Sequence, residues 1–439
     1  MRIRIGVIFL TLMLVMAPLF PIQSPGDFHS SEELEIGQSI KSYSYEYEPN
    51  SPGFQSGSIF TNQTLSTGLA HTCAIFNRPP SNFSAGNPKQ NLGKSHCWGN
   101  NDQFQTGVNG HSDRLYPVPT LYTGDCCQRI TVAVAAGSTH TCKISRWTFL
   151  PLTTVNSPEM LDSSLGRVLC YGNNERVEDM IVEFDEDRIP VAITAGDGFT
   201  CVIQDDASAS CWGENSRGQL GDGTTASGEG PVNVISPNGA NLVAISAGGK
   251  HACAITGNGS VMCWGANGWG QIGDGTQIDR PTPTTVSLPD GRTAVAISAG
   301  YDFTCAILND ASVSCWGRNS RGQLALGHQA GSLQPMISDL GTDNDIIAIS
   351  AGGEHACAII DNGSATCWGA NNYGQMGNGE AGGSSATGRN DPSEVNLPDG
   401  RTAVAISAGG DHTCAVLENV SVACWGRNNK GQVGDGTDT

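Results

Sequence analysis

A cysteine, nine residues and then Cys-Trp-Gly recur five times in this chain, starting at Cys201, Cys253, Cys305, Cys357 and Cys414. Successive first cysteines lie 52, 52, 52 and 57 residues apart. A fixed period of this size demands a repeat architecture, in which each unit buries its apolar face only against its neighbours. Two looser copies come before the five: TGLAHTCAIF from Thr67 with CWGNN at Cys97, and AAGSTHTCKI from Ala135 with CYGNN at Cys170. In these the stretch between cysteines grows from nine residues to 23 and 27. An asparagine stands three residues after the aromatic in all seven copies: Asn101, Asn174, Asn215, Asn267, Asn319, Asn371 and Asn428.

Around each cassette the pieces keep one order. A small-residue strand (AISAG from Ala244, Ala296, Ala348 and Ala405) leads through two variable residues to HACAI or a relative. A short turn and a strand ending in Cys-Trp-Gly follow. Then come N-x-x-G-Q, often G-D-G-T, and a Pro-led stretch such as PVNVI from Pro231 or PTPTTVSL from Pro281. Four short strands punctuated by Gly and Asn are the sequence form of a propeller blade. With 57 glycines, 15% charged and 6% aromatic residues, the composition suits strands and turns rather than long helices. The last copy stops at Thr439 without a Pro-led strand. We expect the N-terminal stretch around residues 59–65 to lend that strand, joining first blade to last and removing an exposed edge. A truncated sequence or an absent strand is the alternative.

Arg2 and Arg4 precede an apolar run from Gly6 to Phe20, broken by Pro18 and Pro21. The run is short for a spanning helix and suits a signal peptide, with an uncleaved N-terminal anchor as the alternative. The expected organisation is therefore 1–24 signal or anchor, 25–58 polar linker and 59–439 repeats. Sixteen cysteines agree with export, because disulfides persist outside the cytosol. A net charge of −19 argues against nucleic acid and anionic lipid as partners.

Seven cysteine pairs follow the repeat: Cys73 with Cys97, Cys142 with Cys170, Cys201 with Cys211, Cys253 with Cys263, Cys305 with Cys315, Cys357 with Cys367 and Cys414 with Cys424. Cys126 and Cys127 are left over, to form a vicinal bridge, pair separately or stay reduced. Pairing Cys253 with Cys263 opposes Ile255 to Val261 and leaves Gly257-Asn258-Gly259 as a three-residue loop, whose last residue favours a left-handed glycine. DNG from Asp361 fits equally well. NDA from Asn309 and ENV from Glu418 fit less well, which predicts a register shift there. Directly opposed strand positions lie within disulfide reach. The rival reading is metal, since His71, His140, His251, His355 and His412 each sit two residues before a first cysteine, on the same strand face. Zinc sites use shorter cysteine spacings, and Phe199 and Phe303 replace the imidazole in two copies, so we expect structural disulfides and no metal.

AGGKHACAI from Ala247, WGANGWGQIGDG from Trp264 and their equivalents resemble the regulator of chromosome condensation family, whose unit carries A-G-x-x-H-T, an aromatic-Gly-x-Asn and G-Q-L-G. The resemblance covers about 380 residues, 59–439, in an exported, disulfide-bearing form. It implies an all-β fold: a seven-bladed β-propeller of four-stranded blades around a central channel. It also implies two kinds of activity. Secreted relatives include inhibitors of β-lactamase, and the founding member is a nucleotide-exchange factor for a small GTPase that docks on chromatin. No wedge insertion of the exchange factor has matching residues here.

The five histidines, with Phe199 and Phe303, share one repeat position. Packing between blades is the expectation, and a ligand-binding channel mouth the alternative. The two residues just before that position vary most, and variable tips on a constant frame are how such folds diversify a binding surface. Tyr301, Asp302, Lys250, Glu354 and Asp411 are accordingly the binding candidates, with Tyr301 the aromatic anchor. G-D-G-T at Gly221, Gly273 and Gly434 offers one Asp where calcium wants about six to eight oxygens, and reads as turn chemistry. The acidic run ERVEDMIVEFDED (175–187) reads as a solvated loop, or else a patch for a cation or basic partner. Sequons at Asn62, Asn82, Asn258, Asn362 and Asn419 are glycosylation candidates, the last three at hairpin tips.

No G-x-S-x-G, HExxH or P-loop occurs, and no nucleophile–base set stands out, so neither catalytic residues nor cofactors are expected. The sequence predicts an exported, monomeric, non-enzymatic scaffold, secreted or at the cell surface, that recognises a protein or glycan through one propeller face. An exchange-factor-like regulator and an extracellular enzyme with an unrecognised site are the alternatives.

Overall fold

The computed structural model describes residues 64–76, 94–120, 129–147, 166–173, 175–184, 188–341, 345–380 and 389–439. The expected signal and linker (1–24 and 25–58), Asn62, Asn82, Cys126 and Cys127 lie outside the described residues. The strands form seven antiparallel sheets, each running in chain order from an inner to an outer strand. Blade one runs from Leu65–Thr67 to Arg114–Pro119, and blade two from Arg129–Ala136 to Glu175–Val182. Blade three runs from Pro190–Ala195 to Gly228–Asn233, blade four from Leu242–Ala247 to Arg280–Val286, and blade five from Ala294–Ala299 to Ser332–Ile337. Blade six spans Ile346–Ala351 to Arg389–Glu394, and blade seven consists of Ala403–Ala408, His412–Leu417 and Val422–Gly426. The fold is an all-β, seven-bladed propeller.

Hairpin register follows from the cysteines. Cys253 opposes Cys263 and Ile255 opposes Val261, and the turn closes with Gly259 at φ 81°. All seven expected pairs are disulfides. Cys73 is bonded to Cys97 and Cys142 to Cys170 across the long turns of blades one and two. In the tight hairpins Cys201 is bonded to Cys211, Cys253 to Cys263, Cys305 to Cys315, Cys357 to Cys367 and Cys414 to Cys424. Their Cα atoms lie 4.0–4.1 Å apart in every blade. Sulfur bonded to sulfur leaves these cysteines no thiolate for a metal.

The register shift expected at NDA and ENV does not occur, because Cys305 opposes Cys315 and Cys414 opposes Cys424 just as Cys201 opposes Cys211 and Cys357 opposes Cys367. Ala311 and Val420 take the left-handed conformation instead, at φ 63° and 60°. Cross-strand pairing holds the register, and the turn residue absorbs the strain.

Two further expectations change. Part of the acidic run, Glu175–Val182, is the outer strand of blade two, with Met180 opposite Cys170, rather than a loop. It fills the edge that a Pro-led stretch fills in other blades. Leu65 opposes Ala74 inside blade one, so it belongs to that blade and not to blade seven, while residues 59–63 lie outside the described residues. Among the described residues blade seven has three strands. First and last blades nevertheless meet: Gly410 N–H donates to Gly68 O at 3.1 Å, and Trp98 Nε1–H to Gln432 O at 2.8 Å.

The core lies between blades. Trp264 is fully buried against Phe199, Cys201 and Leu220 of blade three. Its indole N–H donates to Gln219 O at 2.9 Å, as Trp316, Trp368 and Trp425 do to Gln271, Gln323 and Gln375. The recurrent asparagine is the hub of the next turn. Asn267 Nδ2 donates to Thr276 O and Ile278 O at 3.0 and 3.1 Å, while its Oδ1 accepts Ile272 N–H at 3.0 Å. G-D-G-T is turn chemistry, since Asp274 Oδ1 accepts both N–H and Oγ1–H of Thr276 at 2.9 and 2.7 Å.

Candidate functional site

The axial face is built on glycine. Gly68, Gly137, Gly196, Gly248, Gly300, Gly352 and Gly409 each sit against the carbonyl of the equivalent glycine in the next blade, and a Cβ on any of them would collide with that oxygen. The residue after each glycine donates its N–H onward. Leu69 bonds Gly137 O, Ser138 bonds Gly196 O, Asp197 bonds Gly249 O, and Gly249 bonds Gly300 O. Tyr301 then bonds Gly352 O, Gly353 bonds Gly409 O, and Gly410 bonds Gly68 O, so the hydrogen bonds make a closed ring.

One layer deeper, histidines tie blade to blade. His71, His140, His251, His355 and His412 reach Thr141, Thr200, Thr304, Thr413 and Thr72 of the following blade through Nε2 at 2.8–2.9 Å. Thr304 Oγ1 gives its own proton to Gln271 O at 3.0 Å, so His251 Nε2 is the donor and its Nδ1 is bare. All five Nδ1 atoms are buried without a hydrogen-bond partner. Burial pushes the imidazoles down from 6.5 to about 3 at His71, His251 and His412, and to about 4 at His140 and His355. Where Phe199 and Phe303 replace histidine, the following blade carries Ala252 and Ala356 in place of threonine. The histidines belong to the frame.

The variable tips sit above this frame but do not gather into one cluster. Tyr301 is 41% exposed. Its ring lies over Gly249 of blade four, and its hydroxyl donates to Asp197 Oδ2 of blade three at 3.4 Å. Burial first, then the Asp197 and Asp302 carboxylates, hold its phenol above the usual value. Asp302 and Glu354 converge on Arg318 at 3.5 and 3.1 Å, and Glu354 also takes Arg321 at 3.3 Å. Burial raises the Asp302 carboxyl against the opposing pull of Arg318. Asp411 pairs with Arg427 at 3.1 Å. Lys250 is half-buried, its carbonyl held by Ala266 N–H.

Sequence reasoning missed the residue before each G-Q. In blades three to seven this position reads Arg217, Trp269, Arg321, Tyr373, Lys430, alternating cation and aromatic. Each backbone N–H donates to the Oε1 of the glutamine two residues on, at 2.8–2.9 Å. Each side chain then reaches the next blade. Arg217 pairs with Asp279, Arg321 with Glu354, and Lys430 with Asp102 and Asp113. Arg318 lies 5.0 Å over the Trp269 ring, and Arg427 lies 4.7 Å over Tyr373. Because Arg318 also holds Asp302, these residues share a face with the variable tips. Trp269 is 50% and Tyr373 45% exposed. The alternation was visible in the chain at a spacing of 52, 52, 52 and 57 residues.

The sequon asparagines 258, 362 and 419 are exposed at the hairpin tips, at the opposite end of the same strands. Asn258 Oδ1 accepts Ser260 N–H at 3.1 Å, and Asn362 and Asn419 repeat the turn.

Ring, bridges and display positions together define a disulfide-bearing seven-bladed propeller with one face of variable side chains. A family model described as the RCC1-like domain matches residues 159–439, more than half of the sequence, and the chain belongs to that family. It is similar to the ultraviolet-B receptor UVR8 of Arabidopsis thaliana, with 30% identity over 244 residues, 56% of this chain and 54% of that protein. Human E3 ubiquitin-protein ligase HERC2 matches at 28% over 249 residues, 56% of this chain and 5% of that protein. The chain thus spans about half the length of the first relative and a small part of the second. Among solved structures, human WBSCR16 superposes with a TM-score of 0.64 at 17% identity, covering 77% of this chain and 90% of that one. Yeast RCC1 (Prp20) bound to Kap60 gives 0.64 at 16%, covering 95% and 87%. These likenesses show the fold.

Proposed function

We propose that the chain is an exported, non-enzymatic binding scaffold that recognises a protein or glycan through the face carrying the variable tips. The observation that supports this is the segregation of side chains. Histidine, threonine and most asparagine and tryptophan residues of the repeat are buried in the frame, while Tyr301 at a variable tip and Trp269 and Tyr373 before G-Q stand exposed. The last two lie beside Arg318 and Arg427, which also hold the tip residues Asp302 and Asp411. Seven intramolecular disulfides suit an oxidising environment. Among the described residues no helix is long and apolar enough to cross a membrane. Glycans on Asn258, Asn362 and Asn419 would decorate the opposite end of the blades and leave this face clear. The scaffold acts as a monomer in this reading.

Family membership also supports a second reading, a regulator of a small GTPase. Buried bridges in every blade fit that cytosolic or nuclear role poorly. Alkylation without reductant in the native host separates the two. Protected cysteines support the exported scaffold, and free labelling of all of them turns the argument to the regulator. Binding of the mature protein to extracellular material, abolished by Trp269→Ala or Tyr301→Ala, tests the face itself, and binding indifferent to both removes it.

A further inference from the structure

We infer that Asn258, Asn362 and Asn419 are N-glycan acceptors, each joined at Nδ2 to a sugar transferred from a lipid-phosphate carrier. This inference rests on the exported reading, since Asn-x-Ser acceptors are modified in exported proteins. It deepens that reading by naming the modified atoms and the donor class.

Five tight hairpins close on one turn. Asp206, Asn258, Asp310, Asn362 and Asn419 each accept at Oδ1 the N–H of the serine two residues on, at 2.8–3.2 Å. Aspartate makes this turn as well as asparagine does, so the turn uses the oxygen and leaves an amide nitrogen unused. The two aspartates are held by cations, Asp206 by Arg188 at 3.4 Å and Asp310 by Arg292 at 2.9 Å. The three asparagines are exposed, and among the described residues none of their Nδ2 atoms makes a hydrogen bond. The serines divide in a similar way. Ser208 and Ser312 give their hydroxyl protons to the turn aspartate. Ser260 and Ser364 donate only their N–H, and their Oγ atoms bond nothing among the described residues. In blades four and six the fold thus leaves idle the two groups that an Asn-x-Ser acceptor needs, an amide nitrogen and a hydroxyl two residues on. In blade seven Ser421 Oγ–H bonds Asn419 Oδ1 at 2.6 Å and still leaves Nδ2 free. The intervening residues are Gly259, Gly363 and Val420, none of them proline. In the transfer Nδ2 bonds the anomeric carbon and gives up a proton, while the anomeric C–O bond breaks. The carrier then leaves as its phosphate and takes up the proton. A sugar on Nδ2 costs the folded hairpin no hydrogen bond, because the turn is made by the oxygen.

The test takes the full protein from its native host and alkylates it before and after reduction, so that one sample reports cysteines and sugars together. Peptide masses should show the paired cysteines protected, and the peptides carrying residues 258, 362 and 419 heavier by whole sugar residues. Asn258→Asp, Asn362→Asp and Asn419→Asp should each lose the increment at that site alone. Melting should change little, because blades three and five already turn on aspartate. Ser260→Ala and Ser364→Ala should lose the increment too, although the asparagine and its turn to the backbone N–H remain. An increment that survives the serine change overturns the acceptor at that tip, and so does a tip found bare beside modified ones. Protected cysteines with all three asparagines bare overturn glycosylation and keep the exported scaffold. Free cysteines with bare asparagines overturn both readings.

Discussion

Tyr301 of blade five reaches Asp197 of blade three, its hydroxyl 3.4 Å from Oδ2, by lying flat across Gly249 of blade four. Asp197 Oδ1 in turn accepts Ser138 Oγ–H of blade two at 2.6 Å, so four consecutive blades are tied together at the axial face. Only glycine at 249 lets the ring lie there, since a Cβ would come within 3.1 Å of the ring carbons. The anchor residue singled out by its variability is thus a brace as well as an exposed aromatic.

That brace is readable by titration. Burial and then the Asp197 charge raise the Tyr301 phenol, so the folded state holds its proton longer than the unfolded chain does. Its contribution to stability is whole below pH 10, the ordinary tyrosine value, and is lost as pH rises through the folded one. Ultraviolet difference titrations of the protein and of Tyr301→Phe should differ by one late-titrating tyrosine. Asp197→Asn should move it earlier without removing the burial effect, whereas an unmoved curve would mean the carboxylate does not act on it.

The exchange of His/Thr for Phe/Ala at the blade junctions predicts a coupled pair. Thr304→Ala alone strands His251 Nε2 in a buried site, which costs about 1–3 kcal/mol. Adding His251→Phe recreates the Phe199 and Ala252 junction that the chain already uses between blades three and four. The double variant should recover most of the loss, with a coupling of about 1 kcal/mol or more in a thermodynamic cycle. Gln271 O also accepts Trp316 Nε1–H at 2.9 Å, so that carbonyl has a second donor when the threonine is removed. Additive losses would show that the exchange is coincidence.

Much of this frame was legible beforehand because it repeats. The cysteine pairs, the asparagine hub and the blade order all announce themselves through equal spacing, and spacing together with Phe199 and Phe303 in place of histidine separates hairpin bridges such as Cys201 to Cys211 and Cys357 to Cys367 from zinc ligands. Three things escaped for physical reasons. Val420 in the ENV turn looks unsuited to a left-handed position by propensity, but pairing in Val422–Gly426 outweighs that preference. The outer strand Glu175–Val182 carries an acidic composition that reads as loop, because an outer strand need not alternate polar and apolar residues. The rim was passed over because its residues differ in type, although Arg217, Trp269, Arg321, Tyr373 and Lys430 share one position before G-Q. Identity marks the frame, whereas function had to be sought at equivalent positions that disagree.

Five buried imidazoles make stability depend on acid. Their folded values of about 3 or about 4 lie below the ordinary 6.5, so the unfolded chain takes up protons first. Their contribution is complete above pH 6.5 and disappears as pH falls toward the folded values. Within that window each histidine removes up to about 1.4 kcal/mol per pH unit. Melting temperature should hold steady above about pH 7 and fall steeply between about pH 6 and 4. The His251→Phe, Thr304→Ala variant should show a slope shallower by about one proton. An identical slope would mean His251 is not the group being titrated.

Val420 is a β-branched residue at φ 60° on an exposed turn, where blades four and six use Gly259 and Gly363. Left-handed backbone costs a non-glycine residue about 1–2 kcal/mol, and more for a branched side chain. Glycine returns part of this gain by widening the unfolded ensemble, by about 0.5–1 kcal/mol. Val420→Gly should therefore stabilise the protein by about 1 kcal/mol, read as a later denaturant midpoint at unchanged slope. The reverse change, Gly259→Val, should cost more than that, because its Cβ would meet Thr293 Cβ at 2.6 Å as well as adopting the strained φ. Stabilisation by both substitutions, or by neither, would break the argument that pairing of Cys414 with Cys424 forces this turn into its shape.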